Sequence, residues 1–308
     1  MATSIPGLKL PLIQAPMFLI SGPQMVIAAC QAGIVGSFPS PNARTVADLD
    51  DWLQQISDAL SGHKTAAPWA INLIMHRSNP RWQQDLELAV KYRAPLVISA
   101  LGSPKEAVQQ VHDYGGKIFA DVNSLEFARK AADTGVDGLA LVCSGAGGHT
   151  GQLSPFAFVQ EVRQFWPGEI ILSGAISNGS GILAAEAMGA NYVYMGTRFI
   201  ATTESMASED YQNMVIEAQA GDIVCSDAIT GVRANWLRGS LQQAGYDPEN
   251  MPAAANIDFA QAASDRKRWR DIWAAGQGVS ASQQRQSIEQ LVQQLYAEYH
   301  EAKRRLLT

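Results

Sequence analysis

Eight short runs of β-forming residues, each followed by a stretch of helical length, occupy the first two thirds of this chain, and that alternation leaves few folds open. The runs are Leu12 to Ala15, Ile34 to Phe38, Ala70 to Ile74, Leu96 to Ala100, Lys117 to Ala120, Gly138 to Val142, Ile170 to Leu172 and Tyr192 to Met195. Between them lie helical stretches such as Gln24 to Ala32, Val46 to Leu60, Arg81 to Tyr92, Lys105 to Tyr114, Leu125 to Thr134, Pro155 to Phe165 and Gly181 to Met188. Ser103-Pro104 and Asn123-Ser124 stand where an N-cap oxygen is wanted before a first turn. Eight βα units within roughly 200 residues predict a (β/α)8 TIM barrel, an α/β fold, with a doubly wound open sheet as its rival.

The chain changes character after the eighth run. From Thr203 to Gly278 the pattern is helical without strand alternation, which predicts a small helical insertion (203–278) over the mouth of a barrel built from 1–202 and 279–308. Ile288, Leu291, Val292, Leu295, Tyr296 and Tyr299 recur at helical spacing, so Ser282 to Leu306 is expected to be one amphipathic helix, the eighth of the barrel. The Arg266 to Arg270 cluster, with Trp269 and Trp273, reads as a helical face with buried tryptophans rather than a nucleic-acid patch.

Composition removes several function classes. Of 308 residues, 47% are hydrophobic and 17% charged, so a sizeable core is available and disorder is excluded as the main state. A formal net charge of −6 would repel a phosphate backbone, which argues against nucleic acid as a partner. Apolar runs end before the ~18 residues a membrane span needs, and no basic segment precedes an apolar one at the start, so a soluble cytoplasmic protein is expected. Cys30, Cys143 and Cys225 lie far apart without a CxxC, and His63, His76, His112 and His300 have no ligand spacing; no disulfide framework or metal site is expected.

In such a barrel the chemistry belongs in the loops after the strands. The loop after the sixth strand reads Ser144-Gly145-Ala146-Gly147-Gly148-His149-Thr150-Gly151, whose glycines let the backbone approach a flat or anionic ligand, with His149 as the titratable group among them. A flexible loop carrying an incidental histidine is the plainer alternative, and the spacing does not give the GxGxxG of a Rossmann turn. After strands seven and eight come Ser173-Gly174-Ala175-Ile176-Ser177-Asn178-Gly179 and Gly196-Thr197-Arg198. Barrels often seat a phosphate between these two loops, so a phosphate-bearing cofactor follows unless the glycines only serve turns. Asn72, polar within an apolar strand, either faces a ligand or is a satisfied core amide. Arg77 and Arg81, after strand three, are either solvated loop charges or contacts for a nucleotide's or thioester's phosphates.

Taken together, Gln14-Ala15-Pro16-Met17, Asn72, Ala146-Gly147-Gly148-His149-Thr150-Gly151, Gly174-Ala175-Ile176 with Gly179, and Tyr194-Met195-Gly196-Thr197-Arg198-Phe199 resemble the nitronate monooxygenase (2-nitropropane dioxygenase-like) family of FMN-dependent barrels. The resemblance runs from Pro11 to about Ser205, with a weaker echo at Ala274-Ala275-Gly276-Gln277-Gly278. It implies FMN as cofactor, with backbone at Ala15, Pro16 and Met17 and the Asn72 amide toward the flavin ring. It further implies that Gly174, Gly196 and Thr197 hold the phosphate, that Ala146, Gly147, Gly148, Ser173 and Ala175 complete the cofactor set, and that His149 is the catalytic base. Two positions depart from the family pattern: Gly145 stands where many members carry an acidic residue, and Asp121 where some carry a lysine.

Three functional readings follow. The first is oxidation of alkyl nitronates or nitroalkanes with O2 to a carbonyl compound and nitrite, His149 removing the α-proton or stabilising the nitronate as a cation. The second is an NAD(P)H-dependent flavin reductase acting on an enoyl thioester or a quinone, a chemistry that shares these motifs. The third is a non-catalytic barrel binding a phosphorylated metabolite. All three take a small-molecule partner, and a homodimer is compatible with each.

Overall fold

The computed structural model describes residues 4–253 and 271–307. Its first two thirds are the expected βα alternation: β1 (Leu12–Gln14), α1 (Pro23–Ala32), β2 (Gly36–Pro39), α2 (Val46–Ser61), β3 (Trp69–Ile74), α3 (Trp82–Lys91), β4 (Leu96–Ala100), α4 (Lys105–Asp113), β5 (Lys117–Val122), α5 (Leu125–Ala132) and β6 (Gly138–Val142). A two-residue strand, β7 (Gly148–His149), interrupts the series before α6 (Pro155–Arg163), β8 (Glu169–Ser173), α7 (Gly179–Met188) and β9 (Tyr192–Met195). Eight strands pair in parallel in the order β1-β9-β8-β6-β5-β4-β3-β2. An Ile13–Val35 bridge closes the ring, with Gln14 N–H donating to Val35 O at 2.8 Å and Val35 N–H to Leu12 O at 3.1 Å. This is the (β/α)8 barrel, and the open-sheet rival is excluded.

Strand alternation sorts the side chains into two layers. Leu12, Ile71, Val97, Ile118, Leu139, Ile170 and Val193 face the helices, whereas Ile13, Val35, Ala70, Leu96, Ile98, Phe119, Ala140, Ile171, Tyr192 and Tyr194 fill the barrel. Ile5, from the segment ahead of β1, joins the inner cluster and donates its N–H to the Tyr192 hydroxyl at 3.0 Å, which stops the N-terminal end. Helix starts follow their caps: Thr45 and Asp48 form a reciprocal capping box on α2, and Ser124 accepts the Phe127 N–H at 3.2 Å on α5.

Beyond β9 the expectation of a helical insertion is corrected. After α8 (Thr197–Ile200) and α9 (Glu209–Glu217), the chain forms an antiparallel pair, β10 (Ile223–Ser226) and β11 (Ala234–Leu237), followed by α10 (Arg238–Gln243). β11 also pairs with β7, giving a second sheet of order β10-β11-β7. β10 and β11 are only four residues each and carry the polar Ser226 and Asn235, so neither alternation nor length marked them as strands. The Arg266 to Arg270 cluster and Trp269 lie outside the described residues. Trp273 lies within them and stacks on Tyr211 with ring centroids 5.1 Å apart.

The final helix spans Ile288–Leu307, later than expected, because Gln286 forms a bridge with Thr202 and Ser287 accepts the Gln290 N–H as the helix begins. It packs against α7 and α1 in the place of the eighth barrel helix. Gly179 makes that approach possible, since a Cβ there would collide with the Tyr299 backbone nitrogen. Among the described residues, no helix is long and apolar enough to cross a membrane.

Candidate active site

The C-terminal ends of the strands carry small and polar residues where the lower barrel carries large apolar ones. Ala15, Pro16, Met17, Ser173, Gly196 and Thr197 are all part-exposed there, around a mouth that the inner core does not fill. Among the described residues, three of the four non-glycine residues with left-handed backbone stand at this end, Leu19 (φ 61), Leu101 (φ 55) and Ala175 (φ 57), past β1, β4 and β8; the fourth, Arg93 (φ 49), precedes β4. Such conformations cost free energy and persist where the surroundings over-determine them.

Three side chains, Gln14, Ser21 and Asn42, fix the loop after β1. Gln14 accepts the Ser37 N–H at 2.9 Å and donates to Ser21 Oγ at 3.1 Å and to Ala15 O; Ser21 Oγ accepts the Met17 N–H at 3.0 Å. Asn42 donates to Met17 O at 2.9 Å and to Ser21 O at 2.7 Å. Gly196 sits against this loop, and a Cβ there would lie 3.3 Å from Met17 Sδ and 3.7 Å from Ala15 Cβ.

The three glycine loops converge on one wall. A Cβ on Gly174 (φ 120) would lie 2.6 Å from Ser144 O, and one on Gly145 (φ 86) 3.2 Å from Ala175 Cβ and 3.0 Å from Gln277 Oε1. A side chain at position 145 would sit on strained left-handed backbone and press on Ala175 and Gln277. The Ala275-Gly276-Gln277 segment closes the wall. Gln277 N–H donates to Gly145 O and Gly276 N–H to Thr197 Oγ1, both at 2.9 Å, and a Cβ on Gly147 would lie 2.7 Å from Gly276 N. The Thr197 hydroxyl is thereby used as an acceptor and keeps its own proton to donate.

His149 is held by the second sheet. It pairs with Ala234 and Gly148 with Asn235, while Asn235 Nδ2 donates to Ala146 O at 2.7 Å and Thr150 N–H to Arg233 O at 3.1 Å. His149 keeps accessible surface, although protein atoms crowd its ring. Burial pushes its pKa down to about 4, so it is neutral at neutral pH.

Asn72 reaches Ile98 O and Asp121 Oδ2, each at 3.3 Å, so it is turned into the barrel beside the carboxyl on β5. Burial, opposed by the Asn72 hydrogen bond, raises Asp121 to about 7, and its Oδ1 is buried without a hydrogen-bond partner. Arg81 is no candidate phosphate ligand: it pairs with buried Asp85 at 3.0 Å and donates to Ala43 O and Arg44 O, both at 2.9 Å. Arg77 does stand at the rim, where with His76, Trp82, Ser103 and Glu106 it lines a cavity of about 340 Å³.

The structure thus brings the glycine loops, the β1 loop and Thr197 together, places Asn72 with Asp121, and ties His149 to the hairpin. Asn235, Gln277 and Tyr194 are the side chains that the sequence reading did not assign. Asn235 carried a usable signal, being a lone amide in the apolar run Ala234-Asn235-Trp236-Leu237, as Asn72 is in its own strand.

Comparison with known proteins bears on the family and the fold. The nitronate monooxygenase family model matches residues 58–298. A nitronate monooxygenase of Paraburkholderia phytofirmans is 26% identical over 289 residues, covering 80% of this chain and 79% of that protein. An octahydroindene-carboxyl-CoA dehydrogenase of Rhodococcus jostii is 24% identical over 287 residues, covering 92% and 79%. A Mycobacterium tuberculosis protein carrying a monooxygenase assignment is 29% identical over 205 residues, 66% of this chain, and the chain spans about half (54%) of its length. Among solved structures, nitroalkane oxidase from Streptomyces ansochromogenes superposes with TM-score 0.81 at 22% identity, covering 98% of both chains. FabK from Thermotoga maritima gives 0.80 at 23%, covering 97% and 96%. At these identities the structural likeness carries the fold.

Proposed function

The chain belongs to the nitronate monooxygenase family, and from that premise we propose that it is an FMN-dependent oxidoreductase converting alkyl nitronates with O2 to carbonyl compounds and nitrite. The observation that carries this reading is the convergence of the loops after β6, β8 and β9 on one wall, with His149, neutral at neutral pH, carried by the first of those loops.

The donor set suits FMN. Ser173, Gly174, Ala175, Gly196 and Thr197 offer hydroxyls and closely approachable backbone at the place where barrels seat a phosphate. Ala15, Pro16 and Met17 border the mouth where a flavin ring would lie, with Asn72 as a polar contact and Ala146, Gly147 and Gly148 as the close wall. When bound, FMN supplies the electron-accepting chemistry and its link to O2. The protein's part is position and proton transfer. His149, neutral at neutral pH, is suited to take the α-proton of a nitroalkane at a ring nitrogen, leaving the nitronate anion; the same depression of its pKa disfavours the alternative role as a cation. The hairpin and Ala275-Gly276-Gln277 would limit which substrates reach the ring and act as the lid in this reading.

The test is direct. Purified protein is expected to be yellow, with released cofactor identified as FMN, and to form nitrite from a small nitronate only when O2 is present. A colourless protein that takes up no FMN supports the non-catalytic barrel instead.

A second reading, NAD(P)H-dependent reduction of a thioester or quinone, is favoured by the match to a CoA-thioester dehydrogenase over 92% of this chain. Arg77 at the rim cavity would then meet a phosphate.

A further inference from the structure

Strand β5 turns one ionisable side chain into the barrel at the level of the mouth. Ile118 and Ala120 face the helices and Phe119 faces inward, so Asp121, two residues beyond Phe119, is on the inner side. Its flanks are small: Ala140 registers beside it on β6, and Ala100 ends β4. From β3 the Asn72 amide donates to Oδ2 at 3.3 Å. From β9 comes Tyr194, whose hydroxyl is pushed up by burial first and by the negative charge of Asp121 second. Of these facing groups only Tyr194 titrates, and it stays protonated.

Asp121 Oδ1 and the Tyr194 hydroxyl are both buried without hydrogen-bond partners. Orphaned polar atoms of this kind are costly, and a fold that keeps two of them close together has a reason to do so. A carboxyl in an enclosed, weakly donating environment holds a proton near neutral pH, and a further negative charge placed beside it binds that proton more tightly. Neither Asn72 nor the alanines supply a positive charge to oppose this.

Resting on the flavin reading above, we propose that Asp121 is a redox-linked proton acceptor at the floor of the cofactor site. When two electrons enter the bound flavin from an external reductant, one proton from solvent forms an O–H bond on the Asp121 carboxylate. That O–H bond breaks and the proton returns to solvent when O2 removes the electrons.

The test compares the FMN-loaded protein with FMN-loaded Asp121→Asn, titrated with dithionite against reference dyes across neutral to alkaline pH. The slope of midpoint potential against pH should show one more proton bound per two electrons in the parent than in the variant. Equal slopes overturn the proposal. Flavin-free protein gives a second readout by difference infrared spectroscopy: the parent should show a protonated-carboxyl C=O band on the acid side of neutrality that disappears as pH rises, and Tyr194→Phe should shift that band. A parent without the band overturns the assignment of Asp121 as an acid, whether or not Asp121→Asn folds. A protein that takes up no flavin overturns the cofactor reading and the redox link with it, while the infrared result still shows whether Asp121 holds a proton.

Discussion

The two ends of the barrel are made by the same eight strands and obey opposite rules. At the N-terminal end the inward positions are Ile13, Val35, Leu96, Phe119, Ile171 and Tyr192, all nearly inaccessible, and Ile5 stoppers them. At the C-terminal end the inward positions become Ala15, Asn72, Ala100, Asp121 and Ser173, two strand residues there, Asp121 and Tyr194, hold buried oxygens without hydrogen-bond partners, and the adjoining loops hold Leu19, Leu101 and Ala175 in left-handed backbone. One end is packed to hold the fold together, whereas the other gives up packing to leave room for a ligand. Substitutions at the two ends should therefore fail in different ways.

The largest separation is expected from His149→Ala at the mouth. Turnover of a neutral nitroalkane should fall by about 10²–10⁴ with FMN content unchanged, the usual weight of a positioned base, while a preformed nitronate should be affected far less. Steady-state kinetics on both substrates checks this. The pH profile adds a sign test. The active form is the neutral imidazole, so the rate on a nitroalkane should persist below the ordinary histidine range and fall as pH drops through about 4. A fall centred near 6.5, the ordinary value, would mean that the imidazole is fully solvated in the working enzyme.

Ile171→Ala at the closed end should act the other way. Removing a fully buried side chain from the inner core is expected to lower stability by about 2–5 kcal/mol in denaturant titrations, with the kcat of the folded fraction preserved. Gly174→Ala sits between the two. Its φ of 120° and the 2.6 Å approach to Ser144 O make a Cβ cost about 1–3 kcal/mol of strain at the cofactor wall. Weaker FMN binding by fluorescence titration should accompany a small loss of stability. A change of similar weight is Asn235→Ala, which removes the hydrogen bond to Ala146 O and leaves a buried carbonyl unpaired, costing about 1–3 kcal/mol. Because that bond ties the hairpin to the histidine loop, KM should rise more than kcat falls.

The closed end was the more legible in the sequence. All eight barrel strands fall on the apolar runs, because an inward and an outward apolar layer leave continuous β-rich segments between helices. The hairpin was missed for the converse reason: β10 and β11 are short, part-polar and joined by the long turn Asp227 to Arg233, and β7 is two residues inside a glycine loop, so hydrogen bonding to a distant segment defines them. The same holds within the site. Glycines and His149 announce themselves by spacing, and Thr197 by following one of them. The approach of Gln277 to Gly145 and the influence of the Asp121 charge on Tyr194 arise only when segments far apart in the chain are brought together. Asp121 was visible as a residue, but its environment was not.

The measurement that bears most directly on the mouth as a flavin site for nitronate oxidation is anaerobic reduction of the FMN-loaded protein, with a small nitronate, NADH and NADPH tested in parallel by visible absorbance. Bleaching by the nitronate, with the pyridine nucleotides leaving the spectrum unchanged, is the predicted result. Rapid bleaching by NADH or NADPH, with none by the nitronate, would contradict it and assign the site to a reductase.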